Sequence, residues 1–253
     1  ESGVMGPDLM QIFKKQAERF GTQIKTETID KIEKIDGGFK LESGKGSYEF
    51  KSVIISSGAS AIWLDVKGEK ELQGHGVSSC ATCDGFFFKE KKVIVVGGGD
   101  SAMEEALFLT KFATKVYIVH RRDSFRASKI MQDRVLENEK IEVLWNKEVT
   151  EIHGKETVNS VSLKDTRDDS SSELNIDGVF VAIGHTPNVA FLDGLVDLDE
   201  KGYIKTGFTT DTSTSMPGIF AAGDVADSVY RQAVTAAGTG CQAAIDAERW
   251  LEH

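Results

Sequence analysis

Two cysteines separated by two residues, Cys80-Ala81-Thr82-Cys83, followed at once by Asp84, are the residues of this sequence best suited to chemistry. Their spacing lets the sulfurs close a small disulfide ring, and one C-x-x-C without a second Cys or His pair at ligand spacing does not make a zinc site; no metal is expected. The chemistry it points to is thiol-disulfide exchange. There the thiolate is the nucleophile and a proton must be removed and returned, so Asp84 either serves that transfer or only caps the following turn. Phe86, Phe87 and Phe88 come next. They are either core residues or an aromatic docking surface for a protein substrate.

A second constellation begins at Gly97-x-Gly99-x-x-Ala102. It follows the compact apolar run Lys91–Val96 and opens the helical run Ser101–Phe112, where a dinucleotide fingerprint has to sit. The glycines allow a tight turn and close approach of a pyrophosphate, which meets backbone N–H groups and the positive end of the helix dipole. The next strand, Lys115–Val119, completes a β-α-β unit of about 30 residues. It ends in His120-Arg121-Arg122-Asp123, with Arg126 one helical turn later. NAD-binding units place a carboxylate there for the ribose; three guanidiniums suit a 2′-phosphate, so NADP is preferred over NAD.

Around these residues, Leu9–Phe20 has apolar positions at helical spacing behind Pro7-Asp8, and 24–50 alternates in short stretches that suggest an antiparallel meander. Val53-Ile54-Ile55 reads as a buried strand. A helix is expected over Ala127–Asn138, strands near Ile141–Trp145, Val158–Lys164, Val179–Ile183, Tyr203–Lys205 and Ile219–Ala221, and a final helix over Gln232–Leu251. Gly44-x-Gly46 is expected to be a hairpin turn. Gly238-x-Gly240-x-x-Ala243 has no strand before it, so its glycines would serve close packing or approach to a flat ligand. Cys241 reads as an inert buried thiol. His75, His153 and His185 have no partners at catalytic spacing, and Leu251-Glu252-His253 carries no functional weight.

Composition narrows the rest. The 253 residues make one large domain or two modest ones, and 40% hydrophobic with 28% charged residues is ordinary for a globular protein. A net charge of -10 would repel a phosphate backbone, so no nucleic-acid partner is expected. Three cysteines point to a reducing compartment, and no apolar run approaches the roughly 20 residues of a membrane span, so a cytoplasmic protein is expected.

Taken together, Cys80-Ala81-Thr82-Cys83-Asp84-Gly85-Phe86-Phe87, Gly97-Gly98-Gly99-Asp100-Ser101-Ala102, His120-Arg121-Arg122-Asp123 with Arg126, Ala182-Ile183-Gly184-His185, and Gly223-Asp224-Val225 with Tyr230-Arg231-Gln232-Ala233 resemble the low-molecular-weight, bacterial and plant type thioredoxin reductases over essentially the whole chain. The resemblance implies a two-domain α/β fold of the pyridine nucleotide-disulfide oxidoreductase kind, with a Rossmann-like NADPH domain (61–189) carrying the dithiol inserted into an FAD domain (1–60 and 190–253). It implies an NADPH-dependent flavoprotein in which FAD relays hydride to the Cys80–Cys83 disulfide. The dithiol then reduces thioredoxin after a domain rotation. Cys83 would be the flavin-side sulfur, Cys80 the one attacking thioredoxin, and Asp84 the acid/base. Leu64, Gly98, Gly99, Asp100, Ser101, His120, Arg121, Arg122, Arg126, Ile183 and Gly184 would hold NADPH. Ile29, Gly58, Asp224, Arg231, Gln232 and Ala233 would hold FAD. The family is homodimeric.

Two departures accompany the resemblance. Ser56-Ser57-Gly58 stands where the family usually has Ala-Thr-Gly, and the first 60 residues contain no strand-glycine-helix element of the kind with which the family opens its FAD domain. The FAD domain is therefore expected to be incomplete. Two other readings follow: an NADP-binding fragment without flavin or activity, or the reductase of an alkyl hydroperoxide system.

Overall fold

The computed structural model describes residues 3–253; Glu1 and Ser2, the first residues of the expected FAD domain, lie outside the described residues. The chain divides into two compact units, one made of the chain up to Gly58 together with Pro187–His253, the other of the single stretch Ala59–Thr186.

The first unit opens with α1 (Gly6–Arg19), which carries Pro7 in its first turn, where a missing N–H is tolerated. None of its residues is buried. Strands β1 (Ile29–Ile35), β2 (Gly38–Ser43) and β3 (Gly46–Phe50) form the antiparallel meander, with Ser43 paired to Gly46 across the Gly44-Lys45 turn. Strand β4 (Val53–Ile55) follows.

In the second unit, β5 (Ala59–Ala61) enters and β6 (Val77–Ser78) leads to α2 (Ala81–Asp84) and a 3-10 turn over Gly85–Phe88. Then come β7 (Lys92–Val96), α3 (Asp100–Leu109), β8 (Lys115–His120), α4 (Lys129–Leu136) and β9 (Ile141–Trp145). Three antiparallel strands, β10 (Lys147–Gly154), β11 (Val158–Asp165) and β12 (Ser171–Asn175), precede β13 (Gly178–Val181) and the exit strand β14 (His185–Pro187). Strands β6-β13-β7-β8-β9 pair in that order as a parallel sheet.

Both faces of that sheet are covered, which is why Val93–Val96 could be an unbroken apolar run. One face packs Val93, Val95, Val116, Ile118 and Phe180 against Ala102, Met103, Ala106 and Leu109 of α3. The other packs Ile94, Val96, Val119 and Val179 against Val149, Ile152, Val161 and Leu163 of the antiparallel layer. Sequence reading anticipates β11 but not β10 or β12, whose residues alternate between buried and exposed or are mostly exposed.

The chain returns to the first unit through β15 (Ile219–Ala221), parallel to β4, and α5 (Ala233–Leu251). Two expectations are corrected here. Tyr203–Lys205 is not a strand: Ile204 makes a single bridge to Leu198, while the backbone of Tyr203 folds back on Asp199, donating to its carboxylate at 2.9 Å. Cys241 is exposed, because α5 buries the face of Ala243 and Ala247 and two residues earlier points away from it. Where the chain leaves and re-enters this unit, Ser57 and Asn188 are tied: Ser57 Oγ donates to the Asn188 carbonyl at 2.6 Å, Asn188 Nδ2 to the Ser57 carbonyl at 3.0 Å, and Asn188 N to the Gly58 carbonyl at 2.9 Å.

The antiparallel layer is anchored by Asp165, whose carboxylate accepts from Arg167 Nε at 3.0 Å and Nη2 at 2.8 Å, and from Lys147 Nζ at 2.9 Å. Arg167 first, then Lys147, hold this carboxyl well below its ordinary 3.8. A lowered folded-state value means the contribution is full above the ordinary value and is lost as pH falls through the lowered one. Asp165→Asn is therefore expected to lower the melting temperature at neutral pH, and its gap to wild type should narrow progressively as pH falls from about 4 to about 2. A gap that stays constant in calorimetric scans over that range would contradict this.

Candidate functional site

The glycine turn sits at the carboxyl end of β7, where an open α/β sheet binds ligands. Gly97 has φ of +159°, and its missing side chain admits the Ala182 carbonyl and the Ala102 methyl. A Cβ on Gly98 would overlap the His120 imidazole, whereas one on Gly99 would meet nothing within 4 Å. The turn is thus packed from below and open above. Above it lies a cavity of about 610 Å³, lined by Leu64, Gly98, Gly99, Ser101, His120, Arg121, Arg126, Ile183 and Gly184 among the expected residues. Trp63, Val66, Lys147, Glu148 and Val149 complete its walls.

Arg121, Arg122 and Arg126 lie on an irregular loop between β8 and α4; Arg126 precedes the helix rather than forming part of its turn. All three side chains are exposed. The loop is tethered by its backbone: Arg126 N and Ala127 N donate to the Gly98 carbonyl at 2.8 and 3.2 Å, and Asn146 N to the Arg122 carbonyl at 3.2 Å. His120 is buried beneath the turn, with Nε2 3.0 Å from the Ser124 carbonyl. Burial pushes its pKa below the ordinary 6.5, and Arg126 and Arg122 push the same way against the Ser124 and Gly97 carbonyls. Arg122 is absent from the cavity wall, and the Asp100 carboxylate is engaged by Ser128, at 2.8 Å from its N–H and 2.7 Å from its Oγ.

In the same unit Cys80 and Cys83 are joined as a disulfide, Cys80 half-buried and Cys83 exposed. Ser78, buried at the end of β6, donates to Asp84 Oδ2 at 2.7 Å and accepts from Cys80 N at 3.0 Å. It links the Asp84 carboxylate to the backbone of Cys80. Asp84 makes no side-chain cap to the 3-10 turn that follows. The aromatic triplet divides: Phe88 is core, with its ring 5.0 Å from Phe180, while Phe86 and Phe87 are 67% and 69% exposed. His75 lines a smaller cavity of about 280 Å³ that also touches Asp84 and Phe87, and His153 Nε2 lies 2.7 Å from Ser162 Oγ.

In the other unit, Gly58 and Asp224 follow the carboxyl ends of the paired strands β4 and β15, and Arg231-Gln232-Ala233 lead into α5. Asp227 organises that approach. Its carboxylate accepts from Val229 N, Tyr230 N and Arg231 N at 2.8 to 2.9 Å and holds Arg231 at φ of +49°. Val229, Tyr230 and Val234 stand exposed around it. Ile29 begins β1 and packs on the core that β4 and β15 share. A Cβ placed on Gly238 or Gly240 would meet nothing within 4 Å, so no described residue packs closely there.

Sequence reading did not single out Ser78, Ser128 or Asp227. The Asp-x-x-x-Arg spacing from Asp227 to Arg231 is the one signal that a carboxylate there could serve a turn. Among the described residues no group of three or more His, Cys, Asp and Glu side chains is placed to hold a metal, and no helix is long and apolar enough to cross a membrane.

The pyridine nucleotide-disulphide oxidoreductase family model matches residues 5–240. A thioredoxin reductase of Mycolicibacterium smegmatis is 52% identical over 98% of this chain and 80% of its own length, and one of Rickettsia conorii is 50% identical over 98% and 81%. Among solved structures, the thioredoxin reductase from Giardia duodenalis superposes with a TM-score of 0.93 at 44% identity, over 100% of this chain and 83% of that one. That of Streptococcus pyogenes gives 0.91 at 39% identity, over 98% and 81%.

The glycine turn supplies a test of the cavity. Gly98→Ala must displace the His120 ring, so titration with NADPH is expected to show affinity reduced by about tenfold or more. Wild-type affinity in the variant would show that the turn has no such constraint.

Proposed function

The chain belongs to the pyridine nucleotide-disulphide oxidoreductases, among the thioredoxin reductases, and from that premise we propose that it uses NADPH and FAD to reduce the disulfide of a thioredoxin. The observation that carries this reading is that one compact unit holds both a C-x-x-C disulfide with a carboxylate tied to it and an open glycine turn faced by arginines.

The residues present fit NADPH and part of an FAD site; among the described residues of the first unit no strand-glycine-helix element receives the FAD pyrophosphate. Gly99 leaves the turn open to a pyrophosphate, the β8–α4 loop offers guanidiniums to a 2′-phosphate, and Leu64, Ile183 and Gly184 flank the cavity where the remainder would lie. For the flavin, Gly58, Asp224, Arg231, Gln232 and Ala233 lie at strand ends and a helix start, beside exposed apolar side chains that a flat ring system would cover. Together, when bound, NADPH and FAD supply the two electrons that open the Cys80–Cys83 disulfide.

The protein's own residues do the rest. Once reduced, the Cys80 thiolate attacks one sulfur of the thioredoxin disulfide, forming a mixed disulfide and releasing the other sulfur as a thiolate that takes up a proton. Cys83 then attacks Cys80, closing the internal disulfide and releasing the second thioredoxin sulfur, which takes up a second proton. We assign to Asp84, held beside the dithiol by Ser78 and the Cys80 backbone N–H, the holding and return of a proton during these steps. Phe86 and Phe87 offer the protein substrate an aromatic contact beside the dithiol. We assign the protein to the cytoplasm as a homodimer, following the family.

Two measurements test this. With FAD and a thioredoxin supplied, NADPH oxidation followed at about 340 nm should be lost in Cys80→Ser, and flavin bands at about 450 nm should be present. Unchanged turnover in the variant, or no flavin bands after FAD addition, would refute the reading. Replacing Arg121 and Arg122 together by Ala should weaken NADPH roughly 100-fold while leaving NADH little changed, and equal losses would sink the 2′-phosphate assignment.

A further inference from the structure

Ser128 occupies the N-cap of α4, a position whose hydroxyl ordinarily accepts from its own helix. Here it makes no such cap. Its Oγ and its N–H both donate to a single oxygen, Asp100 Oδ1, at 2.7 and 2.8 Å. Asp100 is the first residue of α3, directly after the glycine turn. The serine thus gives up its own helix to join the starts of two helices, and with the two donations to the Gly98 carbonyl this joint ties the Arg126 end of the β8–α4 loop to the glycine turn, while Asn146 N and Thr166 Oγ1 hold the carbonyls of Arg122 and Arg121 at the other end. A carboxylate in this place suits the helix dipole but not a bound anion. It stands in the first turn of the helix whose N-terminus would receive a pyrophosphate, where its charge opposes an anion. The Ser128 hydroxyl and N–H hold the Asp100 carboxyl below its ordinary value, so it remains an acceptor for both.

We propose that Asp100 is a positioning residue that sets the preference for NADPH over NADH from outside the phosphate site. By taking both donors of Ser128, it keeps the arginine loop in register with the glycine turn. This rests on the NADPH reading above and changes the part Asp100 plays in it: the carboxylate contacts the loop, and the loop contacts the 2′-phosphate. Electrostatics alone predicts the opposite sign, because removing a negative charge beside a pyrophosphate should strengthen every nucleotide.

The test is calorimetric titration of the whole protein with NADPH, NADH and adenosine 2′,5′-bisphosphate. In Asp100→Ala the dissociation constants of the two 2′-phosphorylated ligands should rise about tenfold, with NADH changing by less than about twofold. Asp100→Asn keeps an oxygen facing Ser128 and should recover most of the loss. Ser128→Ala removes one exposed hydroxyl and should give a smaller loss, about threefold, again confined to the 2′-phosphorylated ligands. Equal weakening of all three ligands in Asp100→Ala, or tighter binding of all three, overturns the proposal. If Asp100→Ala does not fold, unchanged selectivity in Ser128→Ala overturns it. A wild-type protein without preference for NADPH over NADH would instead defeat the NADPH reading on which it rests.

Discussion

The second unit depends on one close approach, that of the Gly98 backbone to the ring of His120. With no side chain on Gly98, the buried imidazole fills the space under the turn, and its Nε2 lies 3.0 Å from the Ser124 carbonyl. The same glycine's carbonyl receives the backbone of Arg126 and Ala127. One residue therefore fixes both the floor of the anion-binding turn and its separation from the guanidiniums. Neither distance could be set by the long, exposed arginine side chains, whose freedom is costly to restrict unless the backbone beneath them is already placed.

Across both units the same device recurs. A short carboxylate is spent on ordering the chain. Asp84 is tied to Cys80 through Ser78, Asp100 takes Ser128, and Asp227 gathers three consecutive N–H groups. Burial pushes the Asp227 carboxyl up, yet the N–H groups of Tyr230, Val229 and Arg231 outweigh it and leave it below its ordinary value. These bonds offset the cost of a left-handed Arg231, about 1 kcal/mol for a residue with a side chain. Each of these segments is thus held by a carboxylate engaged with the chain itself.

What could be read in advance follows from this division. Val93–Val96, Gly97-Gly98-Gly99 and Cys80-x-x-Cys83 were legible because local chemistry alone demands those residues in those orders. The meander was legible from alternation and glycine turns. Strands β10 and β12 were not, since their half-exposed alternation is weak without the partner sheet that gives it meaning. Ser78 and Ser128 were invisible for a related reason: a serine carries no signal until the fold brings a carboxylate to its hydroxyl, from six residues away for Ser78 and 28 for Ser128. Cys241 was misread because small residues on α5 make its buried face look wider than it is.

The bonds between Ser57, Gly58 and Asn188 carry a consequence of their own. Seen from the first unit, everything from Ala59 to Thr186 is one excursion whose two ends are already clasped. Closing a long excursion costs entropy that grows only slowly with its length, and a clasp at its base means that cost does not depend on what the excursion contains. The arrangement is that of a plug-in part. A host with such a clasp can lose, exchange or acquire a whole nucleotide-and-dithiol module in evolution without redesigning its own core.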